Sequence, residues 1–229
     1  LGIAFDGDAD RIGVVTASGS IVTADRLMML LVREVLASHP GADVVFDVKC
    51  SRDLAAVVRE NGGRPIMCRS GHSWIKEKMK ESGALLGGEF TGHICFRDRW
   101  FGFDDALYCA ARLLELLAAE NRTLDELLVF FFNDTATTEI RIELPEEKKF
   151  AAMEAISRGF SLEPENARLS RIDGVRAEFA DGWGLVRASN TSAALICRFE
   201  GRDEATLARI QAAFLAEIRR LLPGTNVSF

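Results

Sequence analysis

The chain has 229 residues, 48% hydrophobic and 27% charged, which suits one large globular domain or two smaller ones with their own cores. Its formal net charge of −6 argues against general nucleic-acid binding, which wants a basic face, and leaves room for a locally positive site facing an anionic ligand. Cys50, Cys68, Cys95, Cys109 and Cys197 are odd in number without a CxxC pair, and read as small buried hydrophobes in a reducing compartment rather than a disulfide set or a zinc site.

Leu1-Gly2-Ile3-Ala4-Phe5 reads as a buried strand and, lacking Met, as an interior start. The acidic loop Asp6–Arg11 follows, then a strand over Ile12–Thr16 ending at the turn Ser18-Gly19. Asp25 opens a strongly apolar helix to about Ser38, stopped by Pro40-Gly41. Strands are predicted over Ala42–Val48, Pro65–Arg69, Ala84–Glu89 and His93–Phe96, with helices over Ser51–Glu60 and Ser73–Glu81 between them. A long amphipathic helix begins at Asp104 and reaches about Glu120. Strands separated by helices of this length predict βαβ units around a mixed sheet.

The pattern changes after Thr123. A strand over Glu139–Leu144 leads to a helix over Glu146–Arg158 and two short strands within Ala167–Phe179 around Asp173-Gly174. Strands Gly184–Arg187 and Ala193–Phe199 flank the polar loop Ala188–Ser192. The last helix, from about Asp203 to Leu222, carries Leu207, Ile210, Phe214, Ile218 and Leu222 on one stripe. The expectation is therefore an α/β part followed by a smaller α+β part. Between them, Val129-Phe130-Phe131-Phe132 stands against the polar run Asn133–Thr138. A buried helix end fits this stretch, and so does peptide text from a translated sequencing adapter. It carries no candidate site residue. No apolar run approaches the roughly 20 residues of a membrane helix and no signal peptide opens the chain, so the expected setting is cytoplasmic, with no membrane partner.

Asp6-Gly7-Asp8-Ala9-Asp10-Arg11 is the most informative segment. Three carboxylates at alternate positions of a loop after a strand can turn toward one point, and such hard oxygen ligands suit Mg²⁺. An EF-hand beginning at Asp6 would need Gly at its sixth position and Glu at its twelfth, where Arg11 and Ala17 stand. A plain solvated turn is the bland alternative, but three crowded carboxylates repel unless a cation offsets them. Arg11 beside them would serve a bound phosphate or tether the loop.

This hexapeptide between two strands resembles the metal loop of the α-D-phosphohexomutases. Gly88-Glu89-Phe90-Thr91-Gly92-His93 resembles the family's sugar-recognition loop, and Arg187-Ala188-Ser189-Asn190-Thr191 its phosphate-binding loop. Phe46–Cys50, Ser70–Ser73 and Arg99–Asp105 look like the bacterial phosphomannomutase/phosphoglucomutase branch. The resemblance implies four domains around a cleft. Residues 1–22 would finish the second, 23–132 form the third and 133–229 the fourth, with the phosphoserine and a general-base lysine in a first domain upstream.

In that family the phosphoserine passes its phosphoryl group to a hexose phosphate, the bisphosphate turns over, and the opposite phosphoryl returns to the serine. The implied cofactor is Mg²⁺ on Asp6, Asp8 and Asp10. The implied ligands are hexose phosphates and hexose 1,6-bisphosphate, and the implied partner is the missing N-terminal domains of the same protein. Glu89 and Thr91 would bind sugar hydroxyls, with Thr91 and Phe90 in place of the more usual Ser and Met. His72 opens a helix, where backbone N–H groups favour an anion. With His93, Lys49 and Arg11 it makes a substrate-contacting or proton-handling set, although Lys49 also fits an exposed strand end. Arg187, Ser189, Asn190 and Thr191 offer one cation and three short polar side chains to a phosphate, followed by Ser192-Ala193-Ala194 where the family usually has a proline. A magnesium phosphatase and a non-catalytic sugar-phosphate-binding fragment are the competing classes.

Overall fold

A computed structural model describes residues 1–131, 134–162, 166–225 and 227–229, in two units, Leu1–Phe132 and Asn133–Phe229. The first unit begins with antiparallel strands β1 (Gly2–Phe5), β2 (Ile12–Val15) and β3 (Ile21–Val22), with Phe5 opposite Ile12 so that the acidic loop is the β1–β2 connection. The expected burial of β1 is not found, since Leu1 is 47% and Phe5 41% exposed. Among the described strands β1 pairs with β2 alone, and apolar composition cannot tell a covered strand from an edge strand.

Helix α1 (Ala24–Ser38) is buried on nearly all sides, as an apolar run of this kind requires. Thr23 is its N-cap, and Asp25 lies inside the first turn, where it is fully buried and accepts hydrogen bonds from Ser51 N at 2.8 Å and Thr23 Oγ1 at 2.5 Å. Beside α1 stands a four-stranded sheet of β4 (Asp43–Asp47), β5 (Arg64–Cys68), β6 (Leu86–Gly88) and β7 (Ile94–Phe96), in the order β5-β4-β6-β7. The first three are parallel and β7 turns back antiparallel to β6, which is the mixed sheet the alternating pattern predicts. Helices α2 (Arg52–Glu60) and α3 (His72–Ser82) are the crossovers. Parallel pairing sends the carboxyl ends of β4, β5 and β6 to one edge, and with them Lys49, Ser70–His72 and Glu89. Helix α4 (Ala106–Glu120) starts later than expected because Asp105, not Asp104, caps it by accepting from Tyr108 N. A short helix α5 (Leu124–Leu128) was not expected. Its signal is the capping box of Thr123 and Glu126.

The 129–138 stretch divides into a 3₁₀ turn, Val129–Phe131, and a two-residue strand, β8 (Thr135–Ala136). Phe132 and Asn133 lie outside the described residues.

The second unit is an antiparallel sheet with two helices. Its strands are β8, β9 (Ile140–Glu143), β10 (Arg168–Ser170), β11 (Val175–Phe179), β12 (Gly182–Ala188) and β13 (Ala194–Gly201). The order is β10-β11-β12-β13-β8, with β9 also on β13. Helices α6 (Glu146–Gly159) and α7 (Glu204–Leu221) bury Ile156, Ile210, Phe214 and Ile218 against Val175, Val186, Leu195 and Phe199. Strand β12 runs two residues earlier than predicted. Gly182 and Gly184 offer no side chain to a strand pattern, but a Cβ at Gly184 would lie 2.6 Å from the Phe214 ring, so the glycine makes room for α7. No described helix is long and apolar enough to cross a membrane.

Candidate active site

Ala9 carries φ of +57° at the tip of the β1–β2 loop, and its N–H closes on Asp6 O at 3.2 Å. This turn brings one oxygen each of Asp6, Asp8 and Asp10 within 4.8 Å of one another, close enough for a single small cation to draw together. The donors are all carboxylate oxygens, the set that suits Mg²⁺. Arg11 tethers the loop, donating its backbone N–H to Asp6 Oδ1 at 3.1 Å and its Nε to Asp6 Oδ2 at 2.6 Å. That hydrogen bond holds the Asp6 carboxyl below its ordinary range, so it stays an anion. Asp10 goes the other way. Burial raises it, the nearby carboxylates of Asp8, Asp6 and Asp104 add to the rise, and His93 offsets part.

The Gly88–His93 turn packs directly on this loop. Ile12 N donates to Gly92 O at 3.2 Å, Arg11 forms a bridge with His93, and Gly92 adopts φ of +105°. A Cβ at Gly92 would stand 2.9 Å from Ile12 O, so the close approach requires glycine. Asp6, Arg11 and Thr91 line one open hollow of about 320 Å³. Thr91 is exposed, whereas Glu89 is 4% exposed and accepts from Gly71 N at 2.7 Å.

Two residues that lie in the family-like segments but had no role assigned from sequence sit beneath Glu89. Ser70 Oγ lies 2.7 Å from Asp47 Oδ2 and 3.1 Å from Glu89 Oε1, and Asp47 Oδ1 accepts from Phe90 N at 3.1 Å. One hydroxyl proton cannot serve two carboxylates, and the shorter contact assigns it to Asp47. Burial raises the Glu89 carboxyl above its ordinary range and the Asp47 charge raises it further. Lys49 is buried at 5%, with Nζ 3.9 Å from Asp47 Oδ2. It is not an exposed strand end.

The histidines meet on a third such residue, Asp104. Its Oδ2 lies 2.7 Å from His72 Nδ1 and 3.0 Å from His93 Nδ1, while Oδ1 accepts from Lys76 Nζ at 2.7 Å. The His93 contact is not aligned as a hydrogen bond; the ring also faces Asp10 Oδ2 at 3.5 Å and lies tilted against the His72 ring with centroids 4.9 Å apart. Burial raises Asp104, but hydrogen bonds from Lys76 and His72 outweigh it and leave its carboxyl at about 2. A proton on His72 Nδ1 facing this carboxylate leaves Nε2 as the ring's acceptor. Asp10, His72, His93 and Asp104 could geometrically hold a metal, but the Lys76 ammonium already supplies the cation there. The tandem Asp104-Asp105 was the available signal, with one carboxylate sufficient for the cap.

In the second unit the β12–β13 connection folds around Ser189. Its Oγ accepts from Ser192 Oγ at 2.8 Å, and the Thr191 and Ser192 N–H groups at 3.3 and 3.2 Å share its other lone pair, which leaves its own proton to donate. Arg187 is 4% exposed, with Nε 2.9 Å from Asp173 Oδ2 and Nη2 3.1 Å from Asn190 Oδ1. Asn190 and Thr191 are exposed. A guanidinium beside short polar side chains can take an oxyanion.

Residues 23–133 match the family described as phosphoglucomutase/phosphomannomutase, alpha/beta/alpha domain III, and residues 139–217 match the phosphoglucomutase/phosphomannomutase C-terminal domain. A phosphomannomutase/phosphoglucomutase of Pseudomonas syringae pv. tomato is 51% identical over 100% of this chain and 49% of its own length. A phosphoglucomutase of Neisseria gonorrhoeae is 48% identical over 95% of this chain and 47% of its own. The crystal structure of a phosphoglucomutase/phosphomannomutase family protein from Burkholderia thailandensis matches with a TM-score of 0.88 at 45% identity, covering 100% of this chain and 48% of that one. The chain thus spans about half the length of the relatives it matches. With two consecutive family domains matched in order over most of its sequence, the chain belongs to the phosphoglucomutase/phosphomannomutase family.

Proposed function

We propose that this chain is the metal-, sugar- and distal-phosphate-binding half of a phosphohexomutase that interconverts hexose 1-phosphate and hexose 6-phosphate, of mannose, glucose or both. The reacting serine belongs to the half of the relatives' length that these residues do not span. In this reading residues 1–22 complete the preceding domain, residues 23–132 form the sugar-binding domain and residues 133–229 the distal-phosphate domain. The observation that carries it is the direct bond between the acidic loop and the Glu89 turn, Ile12 N to Gly92 O at 3.2 Å. It sets a divalent-cation ligand set beside a carboxylate and a hydroxyl suited to adjacent sugar OH groups.

Asp6, Asp8 and Asp10 would hold Mg²⁺, which when bound offsets negative charge on the phosphoryl group in transfer. Arg11 keeps Asp6 ionised and the loop closed. Glu89 and Thr91 orient the sugar. His72 and His93, held by Asp104, accept or return the proton of the attacking or departing hydroxyl, and Lys49 adds a buried cation at the same edge. Arg187, Ser189, Asn190 and Thr191 grip the phosphate that is not reacting. Glucose and mannose differ at C2 alone, and a carboxylate–hydroxyl pair gripping two adjacent OH groups tolerates both epimers. The test is conversion of glucose 1-phosphate and mannose 1-phosphate to the 6-phosphates by the full-length protein with Mg²⁺ and glucose 1,6-bisphosphate. Residues 1–229 alone should bind hexose phosphates weakly without turning them over. Turnover by that half alone would place the nucleophile within it and overturn the assignment.

A further inference from the structure

We propose that Asp173 and Lys149 are positioning residues of the Arg187–Ser192 loop, holding its cation and its backbone from outside in the shape that receives a phosphate. This rests on the reading of that loop as the distal-phosphate seat. The first hold comes from the β10–β11 turn. Gly174 has φ of +77°, and a Cβ there would stand 2.2 Å from Val186 O and 2.7 Å from Arg187 Cα. The turn is pressed flat on the backbone that leads into Arg187, an approach open only to glycine. That contact delivers Asp173 Oδ2 to 2.9 Å from Arg187 Nε, while Asn190 Oδ1 takes Nη2 at 3.1 Å. Both bonds fall on the Nε–Nη2 edge of the planar guanidinium. Its Nη1–Nη2 edge is then the fork turned to a phosphate, fixed before the ligand arrives.

The second hold comes from helix α6. Lys149 is 2% exposed, and its Nζ donates to Ser192 O at 3.0 Å while pairing with Glu146 Oε1 at 2.7 Å. A buried ammonium is costly unless every proton finds a partner, so this one pins the carbonyl firmly. With Ser192 O held, the Ser192 N–H and hydroxyl turn inward onto Ser189 Oγ, which keeps the Ser189 proton for the ligand.

A phosphate that does not react is held alike in the ground and transition states, so a loosened loop raises KM and spares kcat. The experiment compares Asp173→Ala, Asp173→Asn, Lys149→Met and Arg187→Ala in the full-length protein. Steady-state kinetics on glucose 1-phosphate are paired with thermal melts that certify folding. Asp173→Ala and Lys149→Met should each raise KM about tenfold with kcat held within about twofold, and Asp173→Asn, which keeps an acceptor oxygen at Nε, should stay within about threefold. If Arg187→Ala raises KM and those two do not, the positioning roles fall while the phosphate seat stands. A drop in kcat at constant KM marks Asp173 and Lys149 as structural only and equally overturns the inference. If Arg187→Ala leaves KM unchanged, the phosphate seat itself is wrong and this inference goes with it.

Discussion

The two candidate loops are ordered by opposite materials. Around the Asp6–Arg11 loop charge is set against charge. Arg11 pairs with Asp6 in a cluster of three carboxylates, and Asp104 gathers His72, His93 and Lys76. The Arg187–Ser192 loop has one cation of its own, and within the loop neutral hydroxyl and amide donors converge on Ser189 Oγ. The first arrangement suits a place where charge develops and protons move, since its groups are displaced from their ordinary ranges in both directions, Asp6 and Asp104 down, Asp10 and Glu89 up. The second suits a ligand group that does not change during the reaction, for which fixed geometry is enough. Substitutions should therefore separate the loops by the kinetic constant each one moves.

The largest effect should come from Asp8→Asn. Asp8 is exposed and accepts no described hydrogen bond, so nothing local replaces the lost charge and the fold has no reason to suffer. Loss of a preorganised charge at a phosphoryl-transfer site should cut kcat by about 10² or more at saturating Mg²⁺, with an unchanged melting curve. Near-normal mutase activity would remove the loop from the metal's role.

Arg187→Ala comes next. Removing a buried, charge-assisted contact costs about 2–4 kcal/mol, and it should be charged to kcat/KM for the 1-phosphate and the 6-phosphate alike. In the proposed reaction both orientations of the sugar present a distal phosphate to the same seat. A loss confined to one isomer would mean that the loop reads orientation, and its contrast with the acidic loop would narrow.

Of the candidate site, the parts written in consecutive residues are legible in the sequence: the alternating Asp6, Asp8 and Asp10, the Glu89 turn between Gly88 and Gly92, and the Arg187–Thr191 run. Their supports are not. Asp47, Ser70, Lys76, Asp104, Lys149 and Asp173 act on residues 14 to 43 positions away or across a strand pair, and nothing local marks a carboxylate or ammonium that will face another loop. The fold divides similarly. Periodicity located the two larger sheets and most helices, because those patterns record burial directly. It failed at β1, whose apolar residues are exposed, and at β12, where two glycines that admit α7 offer no side chain to the pattern.

Asp104→Asn should have a smaller effect, on stability as well as activity. The variant keeps an acceptor but drops the charge that Lys76 and His72 face, at a cost of about 1.5–3 kcal/mol. The sign with pH follows from the direction of the shift. The folded-state carboxyl sits at about 2 and its ordinary value is 3.8, so its contribution is present above 3.8 and disappears as pH falls through about 2. Denaturant titrations of the wild type should show stability falling across that window, and the variant should be flatter there. Parallel curves would mean that Asp104 is not the charge that ties the histidines down.

The smallest effect, and the one that sharpens the comparison most, concerns Thr91. Thr91 is exposed at the tip of the turn while Glu89 is buried beneath it, so the carboxylate has fixed partners and the hydroxyl faces solvent until a sugar arrives. Thr91→Ser keeps the hydroxyl and removes one exposed methyl, a change worth less than about 0.5 kcal/mol. Thr91→Val keeps the shape and the β-branching and removes the hydroxyl, so the two variants together isolate a single hydrogen bond. With the bond in use, Val should weaken kcat/KM by the equivalent of about 1 kcal/mol, and Ser should match the wild type. Equal values for Val and Ser would show that Glu89 alone reads the sugar. The Glu89 turn would then hold the sugar through its carboxylate alone, with no hydroxyl contribution.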